Sequence, residues 1–249
     1  MCGKRAASLE DIIPKWLRNL FTTEGLQVMG RMTGGKYKPV GGGKFSLKGY
    51  VLCHQCNVNW LGTKIESRAS REFKPYIQGA GGTLTPSLQS LISFWVAKTS
   101  YLMAFKAQLN PPADIGPHLR LTEQPTPETS VWIAGLADDF FMTWLHGLIP
   151  PPQHPTAGRR EGLFTILVLG HVVLACLVNP DPGKRLHINF DPPWDRIVTQ
   201  IWPPAVADRE WPLPANLQND RDVFAFVDHL IRGIPPGWRI VLPSQARKP

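Results

Sequence analysis

Near the start of the chain, apolar residues fall at Ile12, Ile13, Trp16, Leu17, Leu20 and Phe21, a spacing that predicts a helix. Pro14 fits its first turn. Thr22 to Gly43 is rich in glycine and basic residues and reads as a flexible loop or a loose hairpin. Phe45, Leu47, Gly49 and Val51 then alternate with Ser46, Lys48 and Tyr50, which predicts a strand running into Cys53. Trp60 to Tyr76 reads as helical, with Leu61, Ile65 and Phe73 as its apolar points. After a break at Gly79 to Thr83, Thr85 offers an N-cap hydroxyl and Pro86 a first-turn proline. Leu88, Leu91, Ile92, Trp95, Val96, Thr99, Leu102 and Met103 follow at the period of an amphipathic helix.

Beyond Pro111-Pro112 the pattern changes to strands, at Val131 to Ile133, Phe140 to Trp144, Leu163 to Leu169 and His171 to Val178. Pro150 to Pro152 and Pro155 mark a long loop that carries Arg159 and Arg160. Asp191 to Pro214 is rich in proline and tryptophan, and Val223 to Ile231 reads as a short helix. The fold class expected is α+β, with an N-terminal module over residues 1–78 and a helical, then mixed α/β region over 79–249.

Composition places the chain among globular proteins, 43% hydrophobic and 18% charged. The apolar run from Leu163 to Val178 is broken by Gly170 and His171 and falls short of the ~20 residues a membrane helix needs, so it reads as buried core. No apolar leader fits between Arg5 and Glu10. Four cysteines are too few for a secreted disulfide scaffold. The expectation is a soluble, cytoplasmic chain with no membrane partner. A net charge of +8 and a pI near 9.5 suit a polyanion, and DNA is the partner expected. No Walker A loop, dinucleotide fingerprint or GxSxG elbow is present.

The densest chemistry lies in Cys53-His-Gln-Cys56-Asn57-Val-Asn-Trp60. Two cysteines separated by two residues can grip one Zn²⁺ from a tight turn, and Cys2 makes a third thiolate. Cys176 sits in an apolar run and reads as an inert buried thiol. The alternative is a reduced, metal-free CxxC that shapes a turn.

Cys2-Gly3-Lys4, Glu10-Asp11-Ile12-Ile13-Pro14-Lys15-Trp16-Leu17, and Cys53 to Trp60 with Glu66 together resemble a bacterial branch of the HNH, or ββα-metal, endonucleases. Lys74-Pro75 and Phe94 to Thr99 resemble later parts of that branch, and the resemblance covers about the first 105 residues. It implies a ββα-metal module with a treble-clef-like structural zinc held by Cys2, Cys53 and Cys56. The fourth ligand is left open between a residue preceding Met1, His54 and water. It also implies a catalytic Mg²⁺ or Mn²⁺, with Glu10 as a ligand, Asn57 as a second ligand or phosphate-orienting group, and Glu66 as an auxiliary ligand. The family's general base is His; here Asp11 stands in its place. Asp is a weaker base than His by about two and a half pKa units, so the resemblance implies an impaired nuclease or a non-catalytic nucleic-acid adaptor.

Simpler roles exist for the same residues. Glu10 and Asp11 could be first-turn acids of a helix, Asn57 could satisfy turn amides, and Glu66 could be a solvated helix residue. Lys15 and Arg18 on the first helix, with Lys36, Lys38, Lys44 and Lys48 around the glycines, form a candidate phosphate track or a solvated loop.

Overall fold

The computed structural model describes residues 8–21, 30–33, 36–39, 48–107, 111–149, 162–181, 183–188 and 190–233; over 30–33, 36–39, 139–145 and 147–149 it describes the backbone alone. The fold is α+β. Strand β1 (Ser8–Asp11) leads through the buried Ile12 and Ile13 to a single helical turn, α1 (Lys15–Arg18). The helix predicted from Ile12 onward is therefore shorter than its apolar spacing suggests. Pro14 occupies the N-cap position with extended backbone, and Glu10 and Asp11 lie on a strand, not in a helical first turn.

Strands β2 (Gly30–Thr33) and β3 (Lys36–Pro39) pair as a hairpin, one of the two forms the Gly-rich segment predicted. Strand β4 (Lys48–Leu52) then returns antiparallel to β1, with Leu9 opposite Tyr50 and Asp11 opposite Lys48. A π-helix spans Gln55–Glu66 and runs on into α2 (Ser67–Glu72) and α3 (Lys74–Ile77). The i→i+5 ladder of a π-helix stacks residues five apart. The buried residues of this helix follow that interval: Cys56, Leu61 and Glu66 in one row, Trp60 and Ile65 in another. This geometry turns Glu66 inward.

Strand β5 (Gly82–Leu84) precedes the long helix α4 (Pro86–Lys106). The hydroxyl of Thr85 accepts a hydrogen bond from the Leu88 N–H, the cap its position predicted, and Pro86 opens the first turn. The helix is not amphipathic in place. Every residue from Leu91 to Ala104 is buried, because the N-terminal elements pack on one side and a β-sheet on the other. Helix α5 (Ile115–Thr122) follows, and Glu123 at its C-cap reaches back across the π-helix. Its carboxylate accepts hydrogen bonds from Trp60 Nε1 at 3.1 Å and Lys64 Nζ at 2.6 Å.

The sheet is built on one antiparallel pair, β6 (Thr129–Ile149) and β7 (Gly162–Val178). Four short predicted strands are thus two long ones. After α6 (Trp194–Ile197), strand β8 (Val198–Trp202) adds to the free side of β6, giving the order β7-β6-β8. Strand β9 (Arg209–Trp211) pairs with β5, and α7 (Asp220–Arg232) closes the described chain, capped by the Asn219 side chain. The apolar run in β7 is buried on both faces. Leu163, Leu167 and Leu169 face the α4 core, whereas Phe164, Ile166 and Val168 join Val223, Phe226 and Leu230 of α7 in a second core. Past Gly170 the parity reverses, and Val172, Leu174 and Cys176 now face α4. Gly170 permits the reversal: its φ of 54° is left-handed, and a Cβ there would collide with the Ile77 carbonyl.

The first core runs through both regions expected from the sequence, joining Ile12, Trp60 and Phe73 to Trp95, Leu102, Leu163 and Trp202. No described helix is long and apolar enough to cross a membrane.

Candidate active site

Strands β1 and β4 and the start of the π-helix bring most of the sequence-selected residues together. The β4 strand ends at Leu52, Cys53 begins the turn, and the Asn57 N–H bonds to the Cys53 carbonyl at 3.0 Å. This tight start aims the Asn57 side chain back at β1. Its Nδ2 donates to Ser8 Oγ at 2.7 Å and to the Leu9 carbonyl at 3.3 Å. The carbonyl partner fixes which end of the amide is nitrogen, so Oδ1 is the atom available to a ligand. Asn57 therefore satisfies a neighbouring strand and not the amides of its own turn.

Asp11 lies between two cations. Arg18 Nη2 donates to its Oδ2 at 2.9 Å, and Lys48 Nζ stands 3.5 Å from its Oδ1. One partner comes from α1 and the other from the facing residue of β4. The Asp11 carboxylate thus bridges a guanidinium and an ammonium. Two members of the candidate phosphate track, Arg18 and Lys48, are thus engaged by Asp11. Lys15 lies on α1, an exposed residue of that turn. Lys36 and Lys38 fall on β3, where only backbone is described, and Lys44 and Cys2 lie outside the described residues.

Glu10 points the opposite way along β1 and is only 4% exposed. Burial pushes its carboxyl up to about 7, against the opposing pull of the Lys98 ammonium; the charges of Glu66 and Asp11 add to the rise. Lys98, on α4, is 0% exposed. Its Nζ stands 2.5 Å from Glu66 Oε1 and 5.4 Å from the centroid of the Trp95 ring. Glu66 Oε2 accepts two further bonds, from Trp16 Nε1 at 2.8 Å and Trp95 Nε1 at 3.0 Å. Glu66 is therefore neither a solvated helix residue nor placed as an auxiliary metal ligand. Both its oxygens are committed to donors that tie α1, the π-helix and α4 into one unit.

Lys98, Trp16 and Trp95 are the residues that reading for chemistry overlooked. Trp16 and Trp95 stand out as core, but the signal for their shared partner lies in the five-residue spacing of Cys56, Leu61 and Glu66. Lys98 is the one charged residue of α4 before its terminal Lys106, and an isolated charge there signals a buried partner.

Cys53 and Cys56 sit side by side at the strand-to-helix junction, both buried, with the Cys56 N–H directed at Cys53 Sγ at 3.5 Å. Cys176 is remote on β7, where burial pushes its thiol up to about 12, as befits an inert core residue. Among the described residues, no three His, Cys, Asp or Glu side chains form a group that could hold a metal ion. No family model, curated protein or solved structure matches the chain.

Two outcomes follow from this geometry. Lys98→Met strands a buried carboxylate and should cost about 3–5 kcal/mol in urea unfolding, while adding Glu66→Gln should recover part of that loss. A cost below about 1 kcal/mol for the single variant would mean that the pair is dispensable. The second concerns pH. Glu10 carries its proton in the native state up to about 7 and in the unfolded state only up to 4.5. The native state thus holds more protons between these values, and Glu10's contribution to stability is full below 4.5 and lost as pH rises through 7. Glu10→Gln should flatten the stability profile across that window; an unchanged slope would remove Glu10 as its source.

Proposed function

We propose that this chain is an HNH-like, metal-dependent DNA endonuclease that hydrolyses phosphodiester bonds weakly. The observation that carries the reading is Asn57 Nδ2 bonded to Ser8 Oγ and the Leu9 carbonyl. It draws together two antiparallel strands and the helix behind them, with Glu10, Asp11 and Asn57 at their junction. A strand pair tied to the helix that follows it supports the ββα-metal reading, with Glu10 turned inward and Asp11 outward on β1.

The donor set suits a hard divalent ion that keeps most of its waters, since Mg²⁺ commonly takes only one or two protein carboxylates. Glu10 and Asn57 Oδ1 would hold it; the buried Glu10 carboxyl, raised by desolvation, is a group that a cation would return to its charged form. The ion, when bound, supplies charge neutralisation at the scissile phosphate. Arg18 and Lys48 keep Asp11 from repelling the phosphodiester. Asp11 stands where the family pattern has a histidine, and an aspartate is the weaker base, which fits a weak activity. Cys53 and Cys56 would hold a structural Zn²⁺ together with Cys2.

A second reading, a non-catalytic zinc-binding adaptor for nucleic acid, rests on a different observation. Asp11 and Glu66, two of the three acidic residues singled out, are already committed to cations within the fold.

Plasmid nicking with Mg²⁺, Mn²⁺ or EDTA separates the two. The endonuclease predicts weak metal-dependent nicking, raised about tenfold or more by Asp11→His and abolished when Asn57→Ala is added. Binding without cleavage by any of these variants would leave the adaptor. Metal analysis provides an independent check: the purified chain should carry one zinc, and Cys53→Ser should lose it. A zinc-free unmutated chain would reduce the CxxC to a turn.

A further inference from the structure

The β1–β4 ribbon has an outer face that the core does not use. Alternation along the two strands sends Glu10 and Gly49 inward and leaves Leu9, Tyr50 and Lys48 outside, with Asp11 half-buried. Tyr50 is 68% exposed and Leu9, its partner in register, 48%. The next pair along the ribbon is Asp11 with Lys48, and Arg18 joins it from α1. Two cations around one carboxylate give this end of the face a net positive charge. The Leu9 carbonyl is also the acceptor that fixes Asn57. The apolar pair is therefore contiguous with the candidate site and shares its backbone.

An exposed aromatic ring beside an excess of positive charge matches what unpaired nucleic acid presents, a base with two π-faces and an adjoining phosphate. Duplex bases have their faces already stacked and gain little from such a ring. A protein partner would be better served by a broader apolar patch than one Tyr–Leu pair bordered by charge.

We infer that Tyr50, backed by Leu9 and flanked by Lys48 and Arg18, is a stacking platform for an unpaired nucleotide of single-stranded DNA at the mouth of the candidate site. This rests on the nucleic-acid reading above and names the form of substrate the site receives. Tyr50 supplies the ring, Lys48 the phosphate contact, and the strand pairing the fixed spacing between them. No bond is made or broken by the platform; Tyr50 is a positioning residue.

The test is fluorescence anisotropy of a labelled oligothymidine strand and a labelled duplex, without divalent ions, against the full chain. Tyr50→Ala should weaken binding of the single strand by roughly 5- to 100-fold, the span of one base–aromatic stack, and should weaken the duplex by less than about threefold. Tyr50→Phe and Tyr50→Trp should stay within about twofold of the unmutated chain for the single strand, because both keep a ring. Normal single-strand affinity in Tyr50→Ala, or an equal loss in Tyr50→Phe, overturns the platform and leaves the nucleic-acid reading standing. So does an equal loss on the duplex, which would make the contact one with the backbone. No DNA binding by the unmutated chain overturns both.

Discussion

The Glu66–Lys98 ion pair is the contact on which the N-terminal half depends. Its two charges are out of water, and their mutual attraction must offset a desolvation cost of several kcal/mol per ion. Geometry makes this feasible. The ammonium stands 2.5 Å from one carboxylate oxygen, two indole N–H groups occupy the other, and the Trp95 ring lies near the ammonium. The donors come from two stretches of chain, Trp16 from α1 and both Trp95 and Lys98 from α4. The pair therefore acts less as a source of net stability than as a condition that only one packing of α1, the π-helix and α4 meets. A shifted register would leave a charge buried without a partner.

That constraint reaches the candidate site through β1. Lys98 faces Glu66 directly and acts on Glu10 at longer range, so one ammonium serves two buried carboxylates. Burial, only partly opposed by the Lys98 ammonium, pushes the Glu10 carboxyl up to about 7. Asp11, its neighbour, points to the other side of the strand and meets Arg18 and Lys48. Adjacent acids on one strand have therefore been given opposite environments by the pleat alone. One is desolvated and poised to gain from a cation; the other is exposed in part and already neutralised.

Much of this was legible in the sequence, and the gaps have identifiable physical causes. The α4 cap at Thr85 and Pro86 was readable because capping is local chemistry. The buried character of the run through Gly170 was readable because apolar continuity does not depend on partners. The length of β6 and β7 was not, since Gly170 and His171 look like a break, whereas the glycine is what lets the strand continue while exchanging its faces. Glu66 was selected for a resemblance and found at a different task. Its burial follows from a π-helical repeat, and at the α-helical period the same residue reads as solvated. The engagement of Asp11 depended on Lys48 arriving opposite it across β4, a register the sequence of β1 alone does not specify.

On the proposed reading, the strand pair that Asn57 ties to the following helix is a scaffold for phosphodiester chemistry, and Asp11 is where scaffold and chemistry part. A histidine there would present a base near neutrality. An aspartate between Arg18 and Lys48 instead closes a small charge cluster and lowers the negative potential that a phosphate would meet. On the proposed reading, an aspartate in the place of the pattern's histidine gives up a base near neutrality and gains tolerance of a polyanion. A protein that binds nucleic acid gains from that exchange even where cleavage is slow. The positive edge it creates borders Tyr50 on the exposed face of the ribbon, so the residue that departs from the nuclease pattern is also the one that organises the charge beside the proposed stacking surface.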